Sequence, residues 1–394
     1  MRYFKLIIPC LASVVLLTAC QPENEKSVLE QNTVVSQDTE VLAENKMIGE
    51  LYQSIYNRAY KEGKRNELDV TGEIITSIGK AGYTAVDINN YIDMVNPDQV
   101  EKFCKQVDLK EKGSLTIILI MDNGGFIRCD FTTSEGKVDV VKSSLTWKDY
   151  KMESVYVEAF QSCTWKYTKN GYLFFERYLP SGYDGASGHT AVRVQPLDKK
   201  CREYNMKYVL PVGYEINNLL ITNWSEEDYS DVNFYDLFDI LYRIKYGKYV
   251  PYESDYSGKE YEIPKNEFED VIEGFFKIDS AVLEEKTVFH ADTQTYRYRP
   301  RGLYDCECPR EPYPEVSSYE EQSDGTIKLI VNGIWVSQNR DDAFTSELVI
   351  HPMENGRFQY VSNRVLEFEN RANPIWYIQR LTDDEWTMYY SGGQ

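Results

Sequence analysis

The sequence predicts an α+β fold in two domains, each with helices packed on an antiparallel sheet. Three observations predict it. Apolar residues recur at helical spacing, as in Ile48, Leu51, Tyr52, Ile55 and Ala59, or Phe234, Leu237, Phe238 and Leu241. Other stretches alternate with period two, as in Ile327, Leu329 and Val331. Hairpin dipeptides separate such runs, among them Glu135-Gly136, Asn170-Gly171 and Asn355-Gly356. Helices precede strands instead of alternating with them, which is the order of an α+β chain.

The elements follow in order. Arg2 and Lys5 precede an apolar run, Leu6 to Ala19, and this pattern predicts an export signal over residues 1–19. As a helix the run spans about 21 Å at roughly 1.5 Å per residue. That falls short of a hydrocarbon core of about 30 Å. Leu17-Thr18-Ala19-Cys20 resembles the lipobox of bacterial lipoproteins. The resemblance implies cleavage before Cys20, a diacylglyceryl group on its thiol and an acyl chain such as palmitate on the new amino group. Gln21 follows instead of Asp. In a Gram-negative cell this points to the outer membrane.

Residues 20–45 carry Glu23, Glu25, Glu30, Asp38, Glu40 and Glu44 with few large apolar residues, and are expected to be a flexible tether. The first domain is expected over 46–249. It opens with the Ile48–Ala59 helical stripe. A second helical stretch starts at Thr71, and a third is capped by Asn96 with Pro97 at its first position and Gln99 closing a capping box. Strands follow at Leu115–Met121 and Phe126–Thr132, joined by Asp122-Asn123-Gly124-Gly125. Further strands are expected around Val155–Tyr167 and Tyr172–Tyr178. Helices near Asp198–Tyr208 and Asn233–Tyr246 end the domain, with Gly247 as the stop.

Residues 250–263 are polar and punctuated, and read as a linker. The second domain, 264–394, opens with a helix capped by Asn266 and bearing Phe268, Val271, Ile272, Phe275 and Phe276 on one face. A short helix near Asp279, a strand at Thr295–Arg299 and a Pro-rich loop come next. Three strands follow: Thr326–Val336, Glu347–His351 and Arg357–Val365. Helices followed by a meander are similar to NTF2-like and cystatin-like folds, whose open end often leaves a pocket. Asp324-Gly325-Thr326 and Phe358-Gln359-Tyr360-Val361-Ser362-Asn363 also resemble a family of uncharacterised lipoproteins of gut Firmicutes, over about Asn266 to Val365. Those motifs are structural, so the resemblance implies no activity.

Composition narrows the function. There are 63 acidic against 43 basic residues, a formal net charge of −20. Such a surface repels nucleic acid and anionic lipid heads. Of 8 cysteines, Cys10 leaves with the signal and Cys20 takes the lipid. Cys104, Cys129, Cys163 and Cys201 each lie on an apolar face and are expected to point into a core. Disulfides and free thiols both stay open for them. Cys306-Glu307-Cys308 lacks a nearby histidine, so it makes a poor metal site.

Few residues suggest chemistry. His189, His290 and His351 are isolated in sequence. Gly185-Ala186-Ser187-Gly188-His189 ends in His where a nucleophile elbow has Gly. Glu226, Glu227, Asp228, Asp341 and Asp342 invite a glycosidase reading, but an acidic chain supplies such pairs by chance. Aromatics are the excess, with 32 Tyr, 16 Phe and 6 Trp. Trp335, Trp376, Tyr377 and Trp386 are the candidate ligand contacts, since such rings stack on sugar or peptide faces. The expectation is therefore a lipid-anchored, extracytoplasmic, non-catalytic binding module without a cofactor. It meets the membrane through Cys20 and takes a small ligand, peptide or glycan. Two alternatives remain: an extracytoplasmic glycan hydrolase using paired carboxylates, and an envelope assembly factor.

Overall fold

The structure, a computed structural model, describes residues 39–183, 185, 187–255, 257–305, 312–368 and 377–391. Cys20, Cys306, Cys308, Trp376 and the signal segment lie outside the described residues.

The chain is α+β. Its first part runs α1 (Thr39–Glu50), α2 (Gln53–Glu62), α3 (Leu68–Lys80), β1 (Thr84–Asp87) and α4 (Pro97–Asp108). Six strands follow: β2 (Gly113–Ile120), β3 (Phe126–Ser134), β4 (Lys137–Lys148), β5 (Lys151–Tyr167), β6 (Tyr172–Arg177) and β7 (His189–Arg193). These strands form one seven-stranded sheet in sequence order. The pairs are antiparallel except β1–β2, which is parallel, so the sheet is mixed where a purely antiparallel one was expected.

β2 shows why this sheet forms. Its run Leu-Thr-Ile-Ile-Leu-Ile is nearly continuous because both faces are covered. Leu115, Ile117 and Leu119 pack with Val100, Phe103 and Val107 of α4. Ile118 and Ile120 pack on the opposite face with Ile48, Tyr52, Ile74 and Ile78. The sheet thus has helices on both sides.

Four local expectations are corrected here. Helix α1 starts at Thr39, inside the stretch read as tether, and buries Asn45, whose amide donates to Ser143 Oγ at 3.0 Å. The single stripe from Ile48 to Ala59 is split, with a break at Leu51–Tyr52 and Leu51 38% exposed. Asn96 makes no cap hydrogen bond: its backbone is left-handed (φ 56°), and its side chain donates to Gly79 O at 3.1 Å and Tyr83 O at 2.7 Å. It ties two helices together instead of closing a capping box. Cys163 is exposed, because a bulge between Ser162 and Thr164 breaks the alternation that would have turned it inward. Cys104, Cys129, Cys163 and Cys201 are all free thiols.

The remainder comprises α5 (Lys199–Tyr204), continued by a π turn (Asn205–Val209), β8 (Trp224–Ser225), α6 (Phe234–Tyr246), β9 (Tyr261–Pro264), α7 (Lys265–Glu273) and α8 (Ser280–Lys286). Then come β10 (Phe289–His290), β11 (Thr295–Tyr298), β12 (Tyr313–Glu321), β13 (Ile327–Ile334), β14 (Phe344–Pro352), β15 (Phe358–Phe368) and α9 (Asp383–Trp386). A five-stranded sheet has the order β12-β13-β14-β15-β8, and a three-stranded sheet the order β10-β11-β9. Helix α7 begins at Lys265 after Pro264, so Asn266 lies inside the helix and is not its cap.

One large core joins Cys201, Tyr208, Leu237, Phe238 and Leu241 to Phe268, Tyr296, Leu329, Leu348 and Tyr360. The cores therefore divide near residue 197 and not at 250–263. The latter segment packs Tyr252 and Tyr261 against the large core, and it reads as a linker only because its other positions are polar. A buried junction links the sheets: Arg193 Nη1 donates to Glu315 Oε1 at 2.8 Å, and Tyr172 Oη to Glu315 Oε2 at 2.6 Å. Among the described residues, no helix is long and apolar enough to cross a membrane.

Candidate functional site

Helix α6 builds the site. Asn233 caps it by accepting from Tyr235 N and Asp236 N, and Gly247 ends it in a left-handed conformation (φ 66°). Phe234, Leu237, Phe238 and Leu241 point into the large core. Asp236, Asp239 and Arg243 recur at three- and four-residue steps, so they share another face.

Asp236 is buried and accepts four hydrogen bonds. Arg301 donates from Nε at 2.8 Å and Nη2 at 2.7 Å, Arg380 from Nη1 at 2.6 Å and Tyr377 from Oη at 3.0 Å. Burial alone would lower the Arg380 guanidinium, but Asp236 and Asp239 outweigh that and raise it. One turn further on, Asp239 accepts from Tyr298 Oη. Burial raises its carboxyl to about 6, against the pull of Arg380 and the Tyr298 hydroxyl; neighbouring Asp236 adds to the rise.

These carboxylates floor a cleft of about 480 Å³. Six tyrosines line it: Tyr91, Tyr214, Tyr249, Tyr252, Tyr298 and Tyr313. Tyr91 follows β1, Tyr214 lies in the loop after the π turn, and Tyr313 begins β12, so the first sheet and the large core both contribute walls. Tyr252 is held by a 3.0 Å hydrogen bond to Glu267 Oε1 and an edge contact with Tyr261. The hydroxyl of Tyr214 is buried and has no partner among the described residues. The volume lies within the range of small-molecule sites, about 300–1,000 Å³.

A second cleft of about 520 Å³ lies near the other end of the arginine row. Its cations are already engaged. Arg297 and Arg299 both hold Asp383 Oδ1 at 2.6 Å, and Lys286 donates to Ser230 O at 2.6 Å. Asp231, Glu285 and Asp305 also line it, so its charges are matched.

The sequence-predicted residues are scattered. Tyr377 reaches the site through Asp236. Trp386 is buried beneath Arg299, whose guanidinium sits 4.8 Å from its ring, and lines the second cleft. Trp335 packs on the large core and lines neither cleft. Trp376 lies outside the described residues.

The acidic candidates form no pair across a cleft. Glu227 and Asp228 are exposed. Glu226 sits 3.9 Å from Lys277 Nζ. Asp341 accepts from Thr168 Oγ1 at 2.5 Å, and Asp342 sits 3.7 Å from Arg340. His189 lies on β7, 3.5 Å from Glu176. His290 is 3.1 Å from Glu262 and His351 is exposed.

Sequence reasoning missed Asp236, Asp239, Arg301 and Arg380. One signal was present: the polar positions 236, 239 and 243 recur at helical spacing on an otherwise apolar helix. Arg297, Arg299 and Arg301 also recur at period two.

No curated protein and no solved structure matches the chain. A family model described as a family of unknown function, DUF6070, matches residues 38–380, and the chain belongs to that family.

Proposed function

We propose that this protein is an extracytoplasmic lipoprotein, anchored by acylated Cys20, whose folded part is a non-catalytic binding module. The observation that carries the binding reading is the tyrosine-lined cleft with its buried, charge-matched floor. The lipobox-like Leu17-Thr18-Ala19-Cys20 supports the anchor. Two or three acyl chains hold a protein at a membrane where one does so only marginally. In this reading the part from 197 onward is a second domain, and its helices against an antiparallel sheet are similar in outline to NTF2-like and cystatin-like folds. That likeness names no ligand.

A hydrolase reading has one point in its favour, the raised Asp239 carboxyl. It lacks the second group. A glycosidase needs a free carboxylate partner facing the acid, and Asp236 is saturated by four donors. Two experiments test the proposal. Mass spectrometry of the membrane fraction finds lipid on Cys20, and Cys20→Ala abolishes it; labelling that persists contradicts the anchor. Oligosaccharide and peptide probes are scanned for a rise in melting temperature that Tyr252→Ala removes; no such rise contradicts the binding module.

A further inference from the structure

We infer that the tyrosine-lined cleft takes a neutral, hydroxyl-rich carbohydrate, not a peptide or a charged metabolite. This rests on the binding reading above and adds the ligand's chemical class. Charge is the first argument. At the floor, Asp236 and Asp239 face Arg301, with Arg380 behind them. At the rim, Glu215 and Arg243 are both exposed and opposite in sign. Neither a cation nor an anion gains a net partner there, so a charged ligand would lose hydration without compensation.

The walls are the second argument. Tyr249 is 78% exposed, with the Arg243 guanidinium 5.9 Å from its ring centroid on one side, and Tyr252 is partly exposed, so ring surface remains available. Such faces cover the apolar side of a sugar ring, while hydroxyl and carboxyl groups take its edge. Tyr252 is already fixed by Glu267, which lowers the ordering cost of binding.

Backbone chemistry speaks against a peptide. β12 is an edge of its sheet, where a peptide strand could be added. Its cleft-facing start is flanked by Pro312 and Pro314, which have no N–H to donate.

The test is calorimetric titration of the detergent-solubilised full chain with cellotetraose, maltotetraose and chitotetraose, and with tetra-alanine and tetra-lysine. The expected result is binding of at least one oligosaccharide and neither peptide. Tyr252→Ala should abolish that binding. Tyr249→Ala should weaken it about tenfold while leaving the melting temperature unchanged, because this lining ring is 78% exposed; a purely structural role would not separate the two. Peptide binding that Tyr252→Ala removes, without sugar binding, overturns the carbohydrate assignment and leaves the binding module standing. Sugar binding indifferent to both variants also overturns it. No binding by any probe overturns both.

Discussion

Arg301 holds Asp236 through two parallel hydrogen bonds, Nε to Oδ1 at 2.8 Å and Nη2 to Oδ2 at 2.7 Å. Both side chains are buried, at 5% and 0% exposed. The pair fixes α6 against the segment after β11, and Arg380 adds the C-terminal segment to the same carboxylate at 2.6 Å. Asp236 therefore organises the floor of the cleft and leaves no free lone pair for chemistry.

Removing that carboxylate should be costly. Asp236→Ala strands two buried guanidinium groups, and breaking a buried pair from one side costs about 3–5 kcal/mol. Urea denaturation of the variant should show a loss of this size. A loss under about 1 kcal/mol would mean that the arginines find other partners.

Asp239 gives a pH dependence of known sign. Its folded-state carboxyl is raised to about 6 from an ordinary value of 3.8. The folded protein thus holds this proton more tightly than the unfolded chain. The associated stability is present below the unfolded value and is lost as pH rises through about 6, an effect of about 3 kcal/mol. Asp239→Asn keeps an acceptor for Tyr298 but cannot ionise. Relative to the parent, it should gain stability between about pH 4 and pH 7 and then level off. The opposite slope in paired denaturation curves would refute the burial argument.

Asn96 separates backbone from side-chain effects. Asn96→Ala removes two hydrogen bonds and forces Ala into φ 56°. The expected loss is about 2–4 kcal/mol. Asn96→Gly tolerates the backbone and should lose less. Equal losses, measured by denaturation midpoint, would show that the left-handed conformation contributes nothing.

Thiol reactivity should follow burial and not apolar patterning. Burial pushes the thiols of Cys104 and Cys129 up to about 12. Peptide mapping after brief alkylation of the native protein should find Cys163 modified and Cys104, Cys129 and Cys201 protected. Modification of Cys129 at the rate of Cys163 would contradict the burial of Cys129 on β3.

Much of the fold was legible where signals are local. The Asn170-Gly171 turn, the Gly247 stop and the β2 run needed only neighbours in sequence. Longer-range arrangements were not. β1 is four residues long and exists by parallel pairing with β2, which no local pattern announces. β12 contains Pro314, which reads as loop until its place at a sheet edge is known. The core division near 197 stayed hidden because it depends on which sheet covers α6. The site was least legible. Asp236 resembles any helix-surface acid until Arg301 and Arg380, from distant parts of the chain, close over it. The late tryptophans drew attention by type, yet the cleft is walled by tyrosines spread from 91 to 313.

Hydrogen exchange of the full chain with and without saturating oligosaccharide tests the ligand cleft most directly. Bound sugar should slow exchange in residues 210–216, 249–254 and 298–301 and leave α2 and α3 unchanged. Protection confined to other segments, or none at all at saturation, would contradict the assignment of the tyrosine-lined cleft as the binding site.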